Sequence, residues 1–186
     1  MSEPELLVAR LNAKLQPMHR GEIFEDPLDE ALRKASLGSV TGGGTQLAKT
    51  REIECCDIEI EVSTASEGVA TSIIEVLERL GAPKGSKLIL ESQDREIPFG
   101  SNEGLAVYLN GVDLPKETYK ECDSNFVYSE FDRLLEGIGQ VYSYWQGPEE
   151  TAFYMYGNSF VTMRDRLDEF ISTYPLCKRC RVVQIA

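Results

Sequence analysis

Cys177-Lys178-Arg179-Cys180 has the spacing of a redox pair or of half a zinc site, and the two intervening cations would lower a thiol pKa. A zinc site needs four ligands. Cys55, Cys56 and Cys122 supply no second pair at the right spacing, and the single histidine, His19, is remote in sequence. A thioredoxin-type pair follows a strand and opens a helix, whereas this one falls between a helix end and a strand. The residues therefore read as free thiols partly buried at the start of a strand, with no metal or cofactor expected. His19 is the only histidine that could act as a general base, but nothing sets it beside a nucleophile. Glu25/Asp26 and Glu149/Glu150 are adjacent in sequence, which aims their side chains apart, so no acid/base pair and no enzyme is expected. Thr41-Gly42-Gly43-Gly44-Thr45 could cradle an anion with backbone N–H groups, yet it lacks the phosphate-loop spacing and reads as a bulged hairpin strand.

Two surfaces remain. Asp57, Glu59 and Glu61 share one parity of a strand, about 6.5–7 Å apart, with Glu22, Glu25, Asp26 and Asp29 as a second acidic cluster near in sequence. Such a row can engage the lysines and arginines of a basic partner, or it can be a solvated face that discourages edge pairing. The hairpin carrying Tyr142, Tyr144, Trp145, Phe153, Tyr154 and Tyr156, with Glu149 and Glu150 at its tip, is aromatic on both parities. It serves either as core or as a protein-binding hot spot.

Charge narrows the partners. The chain has 31 acidic and 19 basic residues, a net charge of −12, spread over both halves. Phosphate backbones and anionic membranes are poor partners for such a surface. The RNA-reading version of the fold derived below presents basic and aromatic residues on its central strands, where this chain has Asp57, Glu59 and Glu61. No run approaches the roughly 20 apolar residues of a bilayer span. The start, MSEPELLVARLNAKL, has acids where a secretory signal carries positive charge. Five cysteines, an odd number, fit a reducing compartment. A cytoplasmic protein is the expectation.

The elements that position these residues follow from period and punctuation. Leu6–Leu15 reads as a strand, followed by Pro17 and a polar loop. Asp26-Pro27 then opens a helix to Leu37, with Asp26 as cap and Gly38 as the residue that stops it. Ser39–Leu47 is the irregular strand, and Glu54–Val62 a strand with Cys56, Ile58, Ile60 and Val62 facing inward. Residues 66–80 form an amphipathic helix, and Lys87–Glu91 a strand. The second half repeats the order: a strand at Leu105–Leu109, a helix at 124–136, the hairpin Val141–Trp145 and Ala152–Tyr156, a helix capped by Asn158 or Ser159 and ended by Pro175, and a strand at Arg181–Ile185. Each half is βαββαβ, the ferredoxin-like arrangement, so the fold class is α+β with antiparallel sheets and an internal duplication at a period of roughly 90–100 residues. The expected boundaries are 1–91 for the first unit, 92–104 for a junction and 105–186 for the second.

Three runs, Arg20–Leu32, Gly38–Thr45 and Glu150–Gly157, resemble small acidic immunity proteins encoded beside secreted bacterial toxins. The resemblance implies a chain that neutralises one cognate toxin by stoichiometric binding, often by covering the active site of a basic nuclease. Strong negative charge would steer that association. The alternative is a small-molecule-binding or catalytic protein using a groove between the two units, with Gly42–Gly44 as anion site. The oligomeric state is left open by the sequence.

Overall fold

Alternation in the first half does what its period requires. In a computed structural model describing residues 4–186, the first five-stranded sheet is built from β1 (Glu5–Leu11), β2 (Gly38–Leu47), β3 (Ile53–Val62), β4 (Ser86–Leu90) and β5 (Arg95–Phe99). The strand order is β2-β3-β1-β4-β5, every neighbour antiparallel. Cys56, Ile58, Ile60 and Val62 of β3 and Leu7, Ala9 and Leu11 of β1 are buried. Burial at every second residue continues to Ala13 and Leu15, past the end of the β1 ladder, which is why the sequence pattern extends the strand too far.

The helix expected to begin at Asp26 begins instead at Pro17. It runs through α1 (Pro17–Arg20), a π-helical turn (Gly21–Glu25) and α2 (Asp26–Lys34). Asp26 is not a cap: its N–H bonds the carbonyl of Gly21, five residues back. A proline inside a helix has no N–H for the carbonyl four residues earlier, and the widened turn just before Pro27 lets the run continue past it. The stop also differs. Ser36, not Gly38, takes the left-handed conformation, and the N–H groups of Ser36 and Leu37 close a Schellman motif on Arg33 and Leu32. β2 carries the expected bulge, between Val40 and Gly42. Ser66 caps α3 (Glu67–Arg79), whose Ala70, Ile73 and Leu77 are buried. β5 lies within the stretch read as a junction. It is an edge strand, where Pro98 costs no ladder hydrogen bond.

The second unit is β6 (Glu103–Asn110), α4 (Lys116–Glu121), α5 (Ser124–Leu134), β7 (Gly139–Gln146), β8 (Glu150–Gly157), α6 (Phe160–Thr173), a 3-10 turn (Pro175–Cys177) and β9 (Arg181–Gln184). Its antiparallel order is β7-β8-β6-β9. The first four strands of unit one and the four of unit two thus follow one scheme, second-third-first-fourth, the ferredoxin-like order that an internal duplication leaves. Asp123 caps α5 and Ser159 caps α6. The core of this unit holds Leu105, Val107, Leu109, Phe131, Phe153, Met155 and Leu167. By contact, the chain divides between Ser101 and Asn102, and Lys49–Glu52, the tip of the β2–β3 hairpin, belongs to the second unit. Among the described residues no helix is long and apolar enough to cross a membrane.

Candidate functional site

The register of β1 against β3 places Leu6 beside Glu61, Val8 beside Glu59 and Arg10 beside Asp57, all on the sheet face opposite the buried row. Arg10 grips Asp57 with two hydrogen bonds, Nε to Oδ1 and Nη2 to Oδ2, each 2.8 Å. That contact holds the guanidinium above its usual range, and it takes Asp57 out of the row of carboxylates open to a partner. Glu59 and Glu61 remain exposed, next to Leu6, which is 43% exposed. β3 is an inner strand, flanked by β2 and β1, so these carboxylates do not protect an edge.

The second acidic cluster is not part of this surface. The π turn brings residues 20 and 25 together, and the Arg20 Nε donates to Glu25 Oε1 at 2.6 Å. Arg20, only 6% exposed, also donates from Nη1 to the Gly44 carbonyl and the Thr45 hydroxyl. A Cβ at Gly43 would collide with Glu25 Oε1 and the Asp57 carbonyl. Gly43 therefore admits a part-buried ion pair over β2, on the helix side of the sheet. Gly42–Gly44 is the bulged strand the sequence suggests, paired with β3, and the side-chain space at Gly43, where an anion cradle would need room, is taken by Arg20 and Glu25. Glu22 and Asp26 are exposed on the helical run. Asp29 accepts hydrogen bonds from Arg33 and the Val40 N–H, which hold its carboxyl below the usual range.

In the second unit the aromatic hairpin is mostly interior. Phe153 packs edge-on against Phe131 in the core. Tyr142, Tyr154 and Tyr156 occupy the opposite parity and are also buried, Tyr142 being 4% exposed, so Tyr142 offers no contact surface. Burial pushes its phenol up to about 12. Aromatic residues on both parities signal here a sheet buried on both faces, not an outward row. Tyr144 is exposed, and with Asn125, Tyr128, Gln146 and Thr151 it lines a cleft of about 280 Å³ between the start of α5 and the hairpin. Trp145 is half-buried and donates its indole N–H to the Arg51 carbonyl at 3.1 Å. Glu149 is exposed. Glu150 is held by Arg181 through two hydrogen bonds, and Arg181 in turn lies 4.2 Å from the centroid of the Tyr108 ring.

Sequence reasoning missed Glu52. Its Oε1 accepts from the hydroxyls of Tyr108 (2.6 Å) and Tyr154 (3.0 Å). Burial is the main cause of the upward shift of both phenols, and the carboxylate adds to it. No local pattern marks Glu52, since its partners lie 56 and 102 residues away. His19 sits in the last turn of α1. Among the described residues no group of three His, Cys, Asp or Glu side chains is placed to hold a metal ion. The thiol expected to be lowered is raised: burial, then the neighbouring Cys180 and Cys122, push Cys177 up to about 12, while Lys178 and Arg179 are exposed and the Arg179 guanidinium donates to the Asp113 carbonyl.

No protein-family model matches the chain, and no curated protein matches it. Among solved structures it is similar to the first two RNA-recognition-motif domains of a yeast poly(U)-binding protein, with 12% identity over 97% of this chain and 98% of that one and a TM-score of 0.25. A provisionally assigned monooxygenase from Fusobacterium nucleatum aligns at 10% identity over 97% and 90% of the two chains, TM-score 0.34. The regulatory subunit of aspartate kinase from Thermus flavus aligns at 13% identity over 90% and 94%, TM-score 0.29. Likenesses this faint carry no argument about chemistry. The fold assignment rests on the strand order.

Proposed function

We propose that this chain is a non-enzymatic binding protein that inhibits a basic protein partner, in the manner of an immunity protein neutralising its cognate toxin. The observation that carries the reading is the open face of the first sheet, where Glu59 and Glu61 stand exposed beside the exposed Leu6. An apolar contact bordered by carboxylates that have no ion pair among the described residues is the anatomy of a surface that meets lysines and arginines. The net charge of −12 adds long-range steering toward such a partner. Asp57, tied to Arg10, shapes this face without presenting a free charge. Exposed Tyr144 and Glu149 of the second unit form a separate candidate contact.

The test is calorimetric titration of the purified chain with the protein encoded by the adjacent gene, and with its predicted toxin domain alone. Saturable 1:1 binding that weakens with salt supports the reading. The Glu59→Lys/Glu61→Lys double variant should slow association on the order of tenfold at low salt. Absence of binding, or turnover of a substrate by the isolated chain, overturns it.

A further inference from the structure

Cys177 closes the 3-10 turn after α6, and Cys180 immediately precedes β9. The two residues between them complete a tight turn. Lys178 has φ −60° and ψ 135°, Arg179 has φ 59°, and the Cys180 N–H donates to the Cys177 carbonyl at 3.1 Å. That is a type II β-turn with a cysteine at each corner. Its definition keeps the corner Cα atoms within about 7 Å, overlapping the roughly 4.4–6.8 Å that a disulfide spans. The thiols differ in access: Cys177 is 2% exposed and belongs to the core, whereas Cys180 is half-buried at its margin. A third thiol, Cys122, packs against the same core, and its side chain is hydrogen-bonded to Tyr174.

We propose that Cys177 and Cys180 form a thiol–disulfide exchange site, whose substrate is a low-molecular-weight disulfide. The more accessible Cys180 reacts first. Its thiolate attacks one sulfur of the small disulfide; a protein–small-molecule S–S bond forms, the original S–S bond breaks, and one thiolate leaves with the electron pair and takes a proton from solvent. Cys177, after losing its proton to solvent, attacks Sγ of Cys180 and expels the second small thiol. Two protein thiols are oxidised and one disulfide is reduced to two thiols. The product fixes the turn that feeds β9, the strand paired with Tyr108 and Val107 of β6. Burial holds both thiols above their ordinary pKa, so the exchange is slow at neutral pH and is read at equilibrium.

The experiment is overnight incubation of the full chain with glutathione disulfide at mildly alkaline pH, then acid quenching, alkylation and tryptic mass spectrometry. Trypsin cuts after Lys178 and Arg179, so the peptides ending and beginning around the two cysteines separate unless a disulfide joins them. The expected result is a linked pair lighter by two hydrogens, with loss of alkylation at Cys177 and Cys180 alone. Cys122→Ser should keep the link and Cys180→Ser should abolish it. Full alkylation of both thiols, a persistent glutathione adduct at Cys180, or a link through Cys122 overturns the proposal.

Discussion

Tyr108 donates its phenolic hydrogen to Oε1 of Glu52 across 2.6 Å, and the same oxygen accepts the hydroxyl of the fully buried Tyr154. One carboxylate thus satisfies two phenols in the second unit. Leaving a buried polar group unpaired costs about 1–3 kcal/mol. Glu52→Ala should therefore lower unfolding free energy by about 2–4 kcal/mol, and Glu52→Gln, which keeps an acceptor oxygen, by less. Denaturant midpoints at constant m-value measure both. Equal, negligible losses would show that water satisfies the phenols.

Alkaline pH should attack the fold from its buried acids. Cys56, Cys177 and Tyr142 are pushed up to about 12, and burial raises Tyr108 and Tyr154 too. In the unfolded chain thiols titrate near 8.5 and phenols near 10. A group whose folded pKa is raised holds its proton more tightly when folded, so its stabilising contribution is complete below the unfolded pKa and is lost as pH rises toward the folded one. Stability should accordingly be flat with respect to these groups below about pH 8 and fall steadily above it. Tyrosinate absorbance should appear together with loss of ellipticity. Normal phenol titration of the still-folded chain near pH 10 would contradict this.

Period carried most of the architecture. The alternation through Cys56–Val62 and the helical spacing of Val69, Ile73 and Leu77 name their elements because burial itself has those periods. What failed to show was set by distant contacts. Pro27 is a start signal in isolation, yet the i→i−5 bond at Gly21 carries the helix past it. Nothing within a few residues of Asp57 reveals Arg10, 47 positions away. The aromatic pattern of β7 and β8 cannot distinguish an exposed ring from one buried on the second sheet face. Likewise, the triple glycine does not announce which of its positions must stay bare, nor that Arg20 and Glu25 are what excludes a side chain at Gly43.

The two neighbouring glycines of β2 make that last point testable. A Cβ at Gly43 meets Glu25 Oε1, the Asp57 carbonyl and Arg20 Nε, whereas one at Gly44 meets nothing within 4 Å. Gly43→Ala should destabilise the first unit by about 1–3 kcal/mol through overpacking. Gly44→Ala should be neutral or stabilising by about 0.4–1 kcal/mol, because it only reduces the freedom of the unfolded chain. Thermal and urea unfolding of the two variants decide it. Similar losses at both positions would remove the Arg20–Glu25 pair as the reason for the glycines.

The charge-reversal experiment depends on leaving the fold untouched. Glu59→Lys/Glu61→Lys changes exposed groups and should shift stability by no more than about 0.5 kcal/mol. Asp57→Lys instead breaks the part-exposed pair with Arg10 and sets two cations side by side, which should cost about 0.2–1 kcal/mol for the lost pair and somewhat more for the repulsion. Melting temperatures of the variants, measured without any partner, separate these cases. If Asp57→Lys melts with the wild type, the Arg10 contact contributes nothing in solution, and Asp57 rejoins Glu59 and Glu61 as a charge available to a partner.

Phe126 and Phe131 offer a contrast on one helix of the second unit. Phe131 is fully buried and meets Phe153 and Phe170 edge-on, with centroids 5.8 Å away in each case. Phe126, 47% exposed, touches Phe170 and Tyr174 from the solvent side. Truncating a buried phenylalanine removes its transfer free energy and leaves a cavity, so Phe131→Ala should cost about 3–5 kcal/mol. Phe126→Ser loses only part of its contact area and should cost less than about 1.5 kcal/mol. Chemical denaturation gives both values. A large loss at Phe126 would mean that the Phe126–Phe170–Tyr174 cluster supports the α5–α6 packing despite its exposure.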